Sequence, residues 1–301
     1  SGKMFTLTKL AYFVCDDEDR TFYDNLETLE IDIQSCCVDV LRYMKNEIKS
    51  SIMDVDFDYD KKFKNDEAIS SDCNDDEYNT TDSMIEKAAA NGHLECLEFA
   101  ESRGFPMTRT ICAKAAANGQ LECLKYAHER GYPWNVLVCE YAAANGHLEC
   151  LRYAREQGCP WDEIVCEKAA GRGQLECLKY LNDNGCPWDE ATCEAAAAGG
   201  HIDVLQYAHD HGCPWDSFTC REAAAHGHLT CLAYAHENGC LWDSTTCKEA
   251  AASGHLHCLI YAHNNGCLWD ITTCDEAASN GHTSCLEYAL KEGCEWDGRI
   301  P

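Results

Sequence analysis

Between Trp215 and Leu241 the apolar positions follow a helical period. Leu229, Leu232 and Ala235 are spaced by three, and Cys231 and Tyr234 widen their stripe into one apolar face. Upstream, Cys220 and the run Ala223-Ala224-Ala225 follow Asp216, whose carboxylate suits the free amides at a helix start. Gly227 separates the two stretches and Gly239 closes the second. Glycine takes the left-handed conformation that ends a helix at no steric cost. The spacing predicts two short helices joined by a tight turn. The alanine run leaves room for a neighbouring helix to approach closely.

The pattern recurs. Gly92, Gly119, Gly146, Gly173, Gly200, Gly227, Gly254 and Gly281 follow one another at intervals of 27 residues. All seven tryptophans, from Trp134 to Trp296, fall in one column of this repeat, with Met107 in the first unit. A unit this short has two apolar faces and cannot cover both alone, so the units must stack. Burial of the tryptophans between units is expected to hold the stack together.

Twenty of the 24 cysteines fall in three columns, running Cys112 to Cys274, Cys96 to Cys285, and Cys159 to Cys294. The same columns also hold Ile85, Val204, Phe105 and Tyr132. Such side chains do not replace a metal ligand or an obligate disulfide partner, so the cysteines read as reduced core residues. There is no C-x-x-C spacing, which argues against structural zinc. No cofactor or metal is expected. No export signal is visible, so the expected compartment is a reducing one, cytoplasmic or nuclear.

Charge narrows the partners. Lys+Arg total 24 against 52 Asp+Glu, a formal net charge of −28. Such a chain repels nucleic acid and anionic membrane surfaces, whereas a basic or neutral protein is not disfavoured. No run of apolar residues is long enough for a transmembrane helix. Catalytic signatures are missing: there is no nucleophile elbow, P-loop or H-E-x-x-H. The carboxylate column Glu95, Glu122, Glu149 and Glu176 reads as a solvated face. The chain is expected not to be an enzyme.

The stretches Ala223-Ala224-Ala225-His226-Gly227-His228 and Ala250-Ala251-Ala252-Ser253-Gly254-His255 resemble the ankyrin repeat. Leu121-Glu122-Cys123-Leu124-Lys125-Tyr126-Ala127, followed by Gly131, is similar to its second half. The resemblance covers about residues 80–297. It implies an all-α, ankyrin-like solenoid of about eight short helix-turn-helix repeats that binds protein through its concave face. Two departures matter. The family's T-P-L-H is here Thr245-Thr246-Cys247-Lys248, without Pro or His. The unit is shorter than the family's length of about 33 residues, the loss falling between Asp243 and Ser244. The family builds a projecting hairpin finger there, so the fingers are expected to be truncated or absent. The short form with Gly185-Cys186-Pro187-Trp188-Asp189 resembles ankyrin arrays of large DNA viruses of amoebae and some protists, which implies the cytoplasm of a host.

Residues 1–64 lack the repeat and form either a divergent cap or a small docking module. Val38-Asp39-Val40-Leu41-Arg42-Tyr43-Met44 mirrors Ile202-Asp203-Val204-Leu205-Gln206-Tyr207-Ala208 and favours the cap. Residues 65–79 read as an acidic linker, 80–297 as the array, and 298–301 as a stub. The histidines after the turn glycines, such as His228 and His255, are expected to make a turn hydrogen bond. His209, His236 and His263 share another column and are expected to line the surface as a stripe.

The positions that vary within the regular unit mark the candidate binding face. On the family's geometry, the start of the first helix supplies Arg109, Glu163, Glu190, Ser217, Ser244 and Ile271, and its end supplies Arg172 and His226. Between them run Lys114, Tyr141, Lys168, Glu222, Glu249 and Glu276, a column whose sign reverses along the array. The expected function is non-catalytic binding of a protein partner by a monomer. The alternatives are an adaptor that recruits a target to a ubiquitin ligase through the N-terminal segment, or a structural scaffold.

Overall fold

The computed structural model describes residues 80–102, 108–296 and 298. The expectations for the N-terminal segment, for Phe105 and Met107, and for most of the C-terminal stub therefore lie outside the described residues. Every regular element among the described residues is an α-helix, and the helices come in pairs. The chain divides into two compact units, Ser1–Ile111 and Cys112–Pro301. In the first unit, α1 (Thr80–Ala90) and α2 (Leu94–Ser102) form one pair. Ile85, Ala88 and Ala89 of α1 and Leu97 and Ala100 of α2 are fully buried or nearly so.

The second unit opens with α3 (Ile111–Ala117), which starts at the boundary, and α4 (Leu121–Glu129). It continues with α5 (Val136–Ala144) and α6 (Leu148–Glu156), then α7 (Glu163–Gly171) and α8 (Leu175–Asp183). Next come α9 (Glu190–Gly199) with α10 (Ile202–Asp210) and α11 (Ser217–Ala225) with α12 (Leu229–Glu237). The last pairs are α13 (Ser244–Ala252) with α14 (Leu256–Asn264) and α15 (Ile271–Ser279) with α16 (Thr283–Lys291). No strand or hairpin finger occurs between pairs among the described residues.

The pair α11/α12 shows why this sequence folds this way. Asp216 is extended at φ −140 and its carboxylate accepts from the Phe218 amide at 2.9 Å, capping α11. Gly227 takes φ 76, and the His228 amide behind it donates to the Ala223 carbonyl at 2.8 Å. That is the six-residue closure of a Schellman turn, and a side chain at Gly227 would strain it. At the far end the Cys240 amide closes α12 onto the Ala235 carbonyl at 2.9 Å. The Cys240 thiol then donates to the Asp216 carbonyl at 3.0 Å, tying the end of the pair to its beginning.

That thiol contact is periodic. Cys159 donates to Asn135 at 3.2 Å, Cys186 to Asp162 at 3.3 Å, and Cys213 to Asp189 at 3.3 Å. Cysteine therefore does at this column what valine cannot: it fills a small apolar site and still offers a weak donor. All twenty repeat cysteines are free and buried. Burial pushes Cys112, Cys150 and Cys177 up to about 11 and Cys258 to about 12, which keeps them protonated at neutral pH.

Two layers result in the second unit. First helices of successive pairs lie directly against one another, whereas second helices touch far less. Paired alanines such as Ala196-Ala197 and Ala223-Ala224 are fully buried in the first layer. The approach is close at α7 and α9, where a methyl on Gly199 would come within 2.7 Å of the Gly171 carbonyl. The second layer is filled instead by one fully buried leucine per pair, such as Leu205, Leu232 and Leu259. The tryptophans differ from expectation. They are half-buried, because each lies in a linker at the rim of the stack rather than between its layers.

Candidate protein-binding face

The outward side of the first helices carries most of the candidate residues. Lys114, Tyr141, Glu163, Lys168, Arg172, Glu190, His226 and Ile271 are exposed in the second unit. Ser217, Glu222, Ser244, Glu249 and Glu276 are half-buried on the same helices. Arg109 is exposed but belongs to the first unit. The framework explains this division. Positions three, four, seven and eight after the cap turn inward in each first helix, as Thr219, Cys220, Ala223 and Ala224 do. In α11 the remaining positions are half-buried or exposed.

The charge column is less uniform than its sequence implies. Glu222 is paired by Arg221 at 2.8 Å, and His226 stands 3.7 Å from its other oxygen. Lys248 reaches Glu276 at 3.6 Å, and Lys168 pairs with Glu167 at 2.9 Å. Lys168, Glu222 and Glu276 of the sign-reversing column thus each have an opposite neighbour in the adjoining one, whereas no ion pair occurs for Lys114 or Glu249 among the described residues. Burial, then Asp162, pushes the Glu140 carboxyl up; burial, then Asp216, does the same for Glu194.

Sequence reasoning missed three apolar members of this face. Leu137, Ile164 and Phe218 occupy the second position of α5, α7 and α11 and are exposed, with Tyr141 one turn beyond Leu137. The Arg221 guanidinium lies over the Phe218 ring at 3.9 Å. Their signal was available: the same column holds Ala191, Thr245 and Thr272, so bulky apolar residues there serve no common packing need.

The two histidine columns make their contacts with neighbouring pairs. His147, His201, His228, His255 and His282 make no side-chain cap bond to their own helices. Their rings instead lie over the turn glycine of the preceding pair: a methyl on Gly227 would sit 2.6 Å from His255 Nδ1. His209, His236 and His263 are half-buried, each packed against an aromatic ring. His209 stacks on Trp215 at 3.8 Å, and His236 and His263 stack on Trp242 and Trp269 at 3.6 Å. Nδ1 of His209 shares a hydrogen bond with the Tyr234 hydroxyl of the next pair at 3.1 Å, and His263 does so with Tyr288 at 3.0 Å. Arg155 replaces histidine over Trp161, at 4.0 Å. These groups form a seam between second helices. Among the described residues, no cluster of His, Cys, Asp and Glu is arranged to hold a metal ion.

Comparison with known proteins bears on the repeat itself. No curated protein matches the sequence. Among solved structures, the ankyrin repeat domain of human ASB11 is similar at 17% identity and a TM-score of 0.45, covering 52% of this chain and 84% of that one. The family model for ankyrin repeats (many copies) matches residues 112–155. Ankyrin repeats are therefore recognised in this chain, and the pairs that follow residue 155 repeat the same helix-turn-helix geometry as an all-α solenoid.

Proposed function

We propose that the chain is a non-catalytic module that binds a protein partner on the outward face of its first helices. The carrying observation is the separation of framework from surface. The inward positions keep small or aliphatic residues from pair to pair, while the outward positions change from Tyr141 through Lys168 to Glu222. First helices that pack more closely than second helices bend such a stack toward the first layer and make that face concave. Twenty buried thiols support a reducing compartment, cytoplasmic or nuclear.

The test is capture of partners by the full chain under reducing conditions, with mass spectrometry, against Tyr141→Ser combined with Glu222→Lys and Glu249→Lys. Loss of a specific partner from the variant supports the face. Equal capture by both proteins counts against it. A ligase subunit that co-purifies with the full chain and survives the variant marks the adaptor reading, and self-association marks the scaffold.

A further inference from the structure

The linker between pairs reads Gly-Cys-X-Trp, where X is Pro160, Pro187 and Pro214 in three units but Leu241 and Leu268 in two later ones. These leucines are 79% and 78% exposed, far more than any other large hydrophobic residue among the described ones. The fold does not use them. Cys240 and Cys267 make their thiol-to-carbonyl bonds at 3.0 Å, as Cys186 and Cys213 do at 3.3 Å beside proline. Trp242 and Trp269 stack on histidine just as Trp215 does beside Pro214. Two leucines held in water thus forgo the burial that would stabilise them. Ile271, three residues after Leu268 at the start of α15 and 42% exposed, extends the aliphatic surface.

Charge identifies what covers it. Glu237, Asp243 and Asp270 are exposed in the same linkers and helix ends. Neither 237–247 nor 264–274 contains a lysine or arginine. A second copy of a chain with net charge −28 is repelled, and so is an anionic membrane. We propose that Leu241 and Leu268 dock a cationic amphipathic helix of a partner protein. Spacing agrees: packed helices lie about 8–10 Å apart, and side chains at i and i+7 of a helix rise by about 10 Å. The two surfaces share Ile271, but Leu241 and Leu268 lie in the linkers and are not among the outward residues of the first helices, so a variant of these leucines alone tests this surface and not that face.

The probe is a fluorescein-labelled synthetic peptide of about 18 residues, long enough for helix formation, with leucines at i and i+7 and lysines on its other faces. Its anisotropy is titrated with the full chain and with the double variant Leu241→Pro, Leu268→Pro. Proline already occupies this position in earlier units, and neither leucine amide donates a hydrogen bond among the described residues, so the backbone tolerates the change. An unchanged circular dichroism spectrum verifies this. The double variant is expected to bind at least about tenfold more weakly, with each single variant in between. The same peptide with glutamates in place of its lysines is expected not to bind. Equal affinity of both proteins, no binding to either, or equal binding of the glutamate peptide overturns the proposal. So does a dimer of the parent chain, seen by sedimentation, that the double variant loses.

Discussion

First and second helices of the second unit are held in their layers by different chemistry. First helices meet through alanine pairs such as Ala223-Ala224, so little more than Cβ atoms separates their backbones. Second helices meet through a buried leucine and an outer seam of stacked His, Trp and Tyr. Small side chains fix a spacing rigidly, because no rotamer can adjust it. Long ones leave room to repack. The first layer therefore keeps a constant frame behind a variable surface, which is what a recognition face requires. The second layer carries specific polar contacts from one pair to the next.

Four measurements break or sharpen this contrast. The largest effect is expected in the second layer from Leu232→Ala, which empties a fully buried site. It should cost about 2–5 kcal/mol in chemical denaturation. The first layer should fail in the opposite way. Ala224→Leu overfills a fully buried contact between first helices and should cost about 1–3 kcal/mol. The same change at Ala233, a half-buried column that elsewhere carries Lys125, Arg152 and Ile260, should stay within about 0.5 kcal/mol. Similar losses at both alanines would mean that the layers do not differ in tolerance.

A smaller effect, with the opposite sign, is expected from Thr219→Val. The hydroxyls of Thr192, Thr219, Thr246 and Thr273 are fully buried without a hydrogen-bond partner. Val138 and Val165 fill the same column in earlier pairs. Removing one orphaned hydroxyl should raise stability by about 1 kcal/mol. A loss instead would show that the hydroxyl is satisfied in solution.

The smallest effect concerns the turn histidines. Burial, then the neighbouring His257, holds His255 below the usual histidine range. The folded state therefore binds this proton less readily than the unfolded chain does. The contribution to stability is complete above the unfolded value of about 6.5 and is lost as pH falls through it toward the lower folded value. His255→Gln, the residue found at Gln120 and Gln174, should show a smaller drop in melting temperature than the parent between about pH 7.5 and about pH 5.5. An identical drop in both proteins would exclude His255 as a source of the pH dependence.

Much of the fold is legible residue by residue. Asp216 and Gly227 are readable because a cap and a left-handed turn are local demands that only a few residue types meet. The outward positions were readable too, since Tyr141 and Ile271 do lie exposed on or beside the first helices. What Glu222, His209 and His255 touch was not readable. Their partners are Arg221, Trp215 with Tyr234, and the Gly227 turn, and each contact needs a rotamer or a neighbouring pair in place.

The sequence by itself determined the 27-residue period, the two helices of each unit, where each begins and ends, and that the cysteine columns are buried. Those features depend on hydrogen bonds and apolar stripes within a few turns of chain. Only the tertiary structure decided that the thiols close each pair on its own cap, that the tryptophans sit half-buried at the rim, and that Leu241 and Leu268 are left in water. These outcomes follow from how one pair lies against itself and the next. They are distances between residues remote in the chain, and periodicity along it does not encode them.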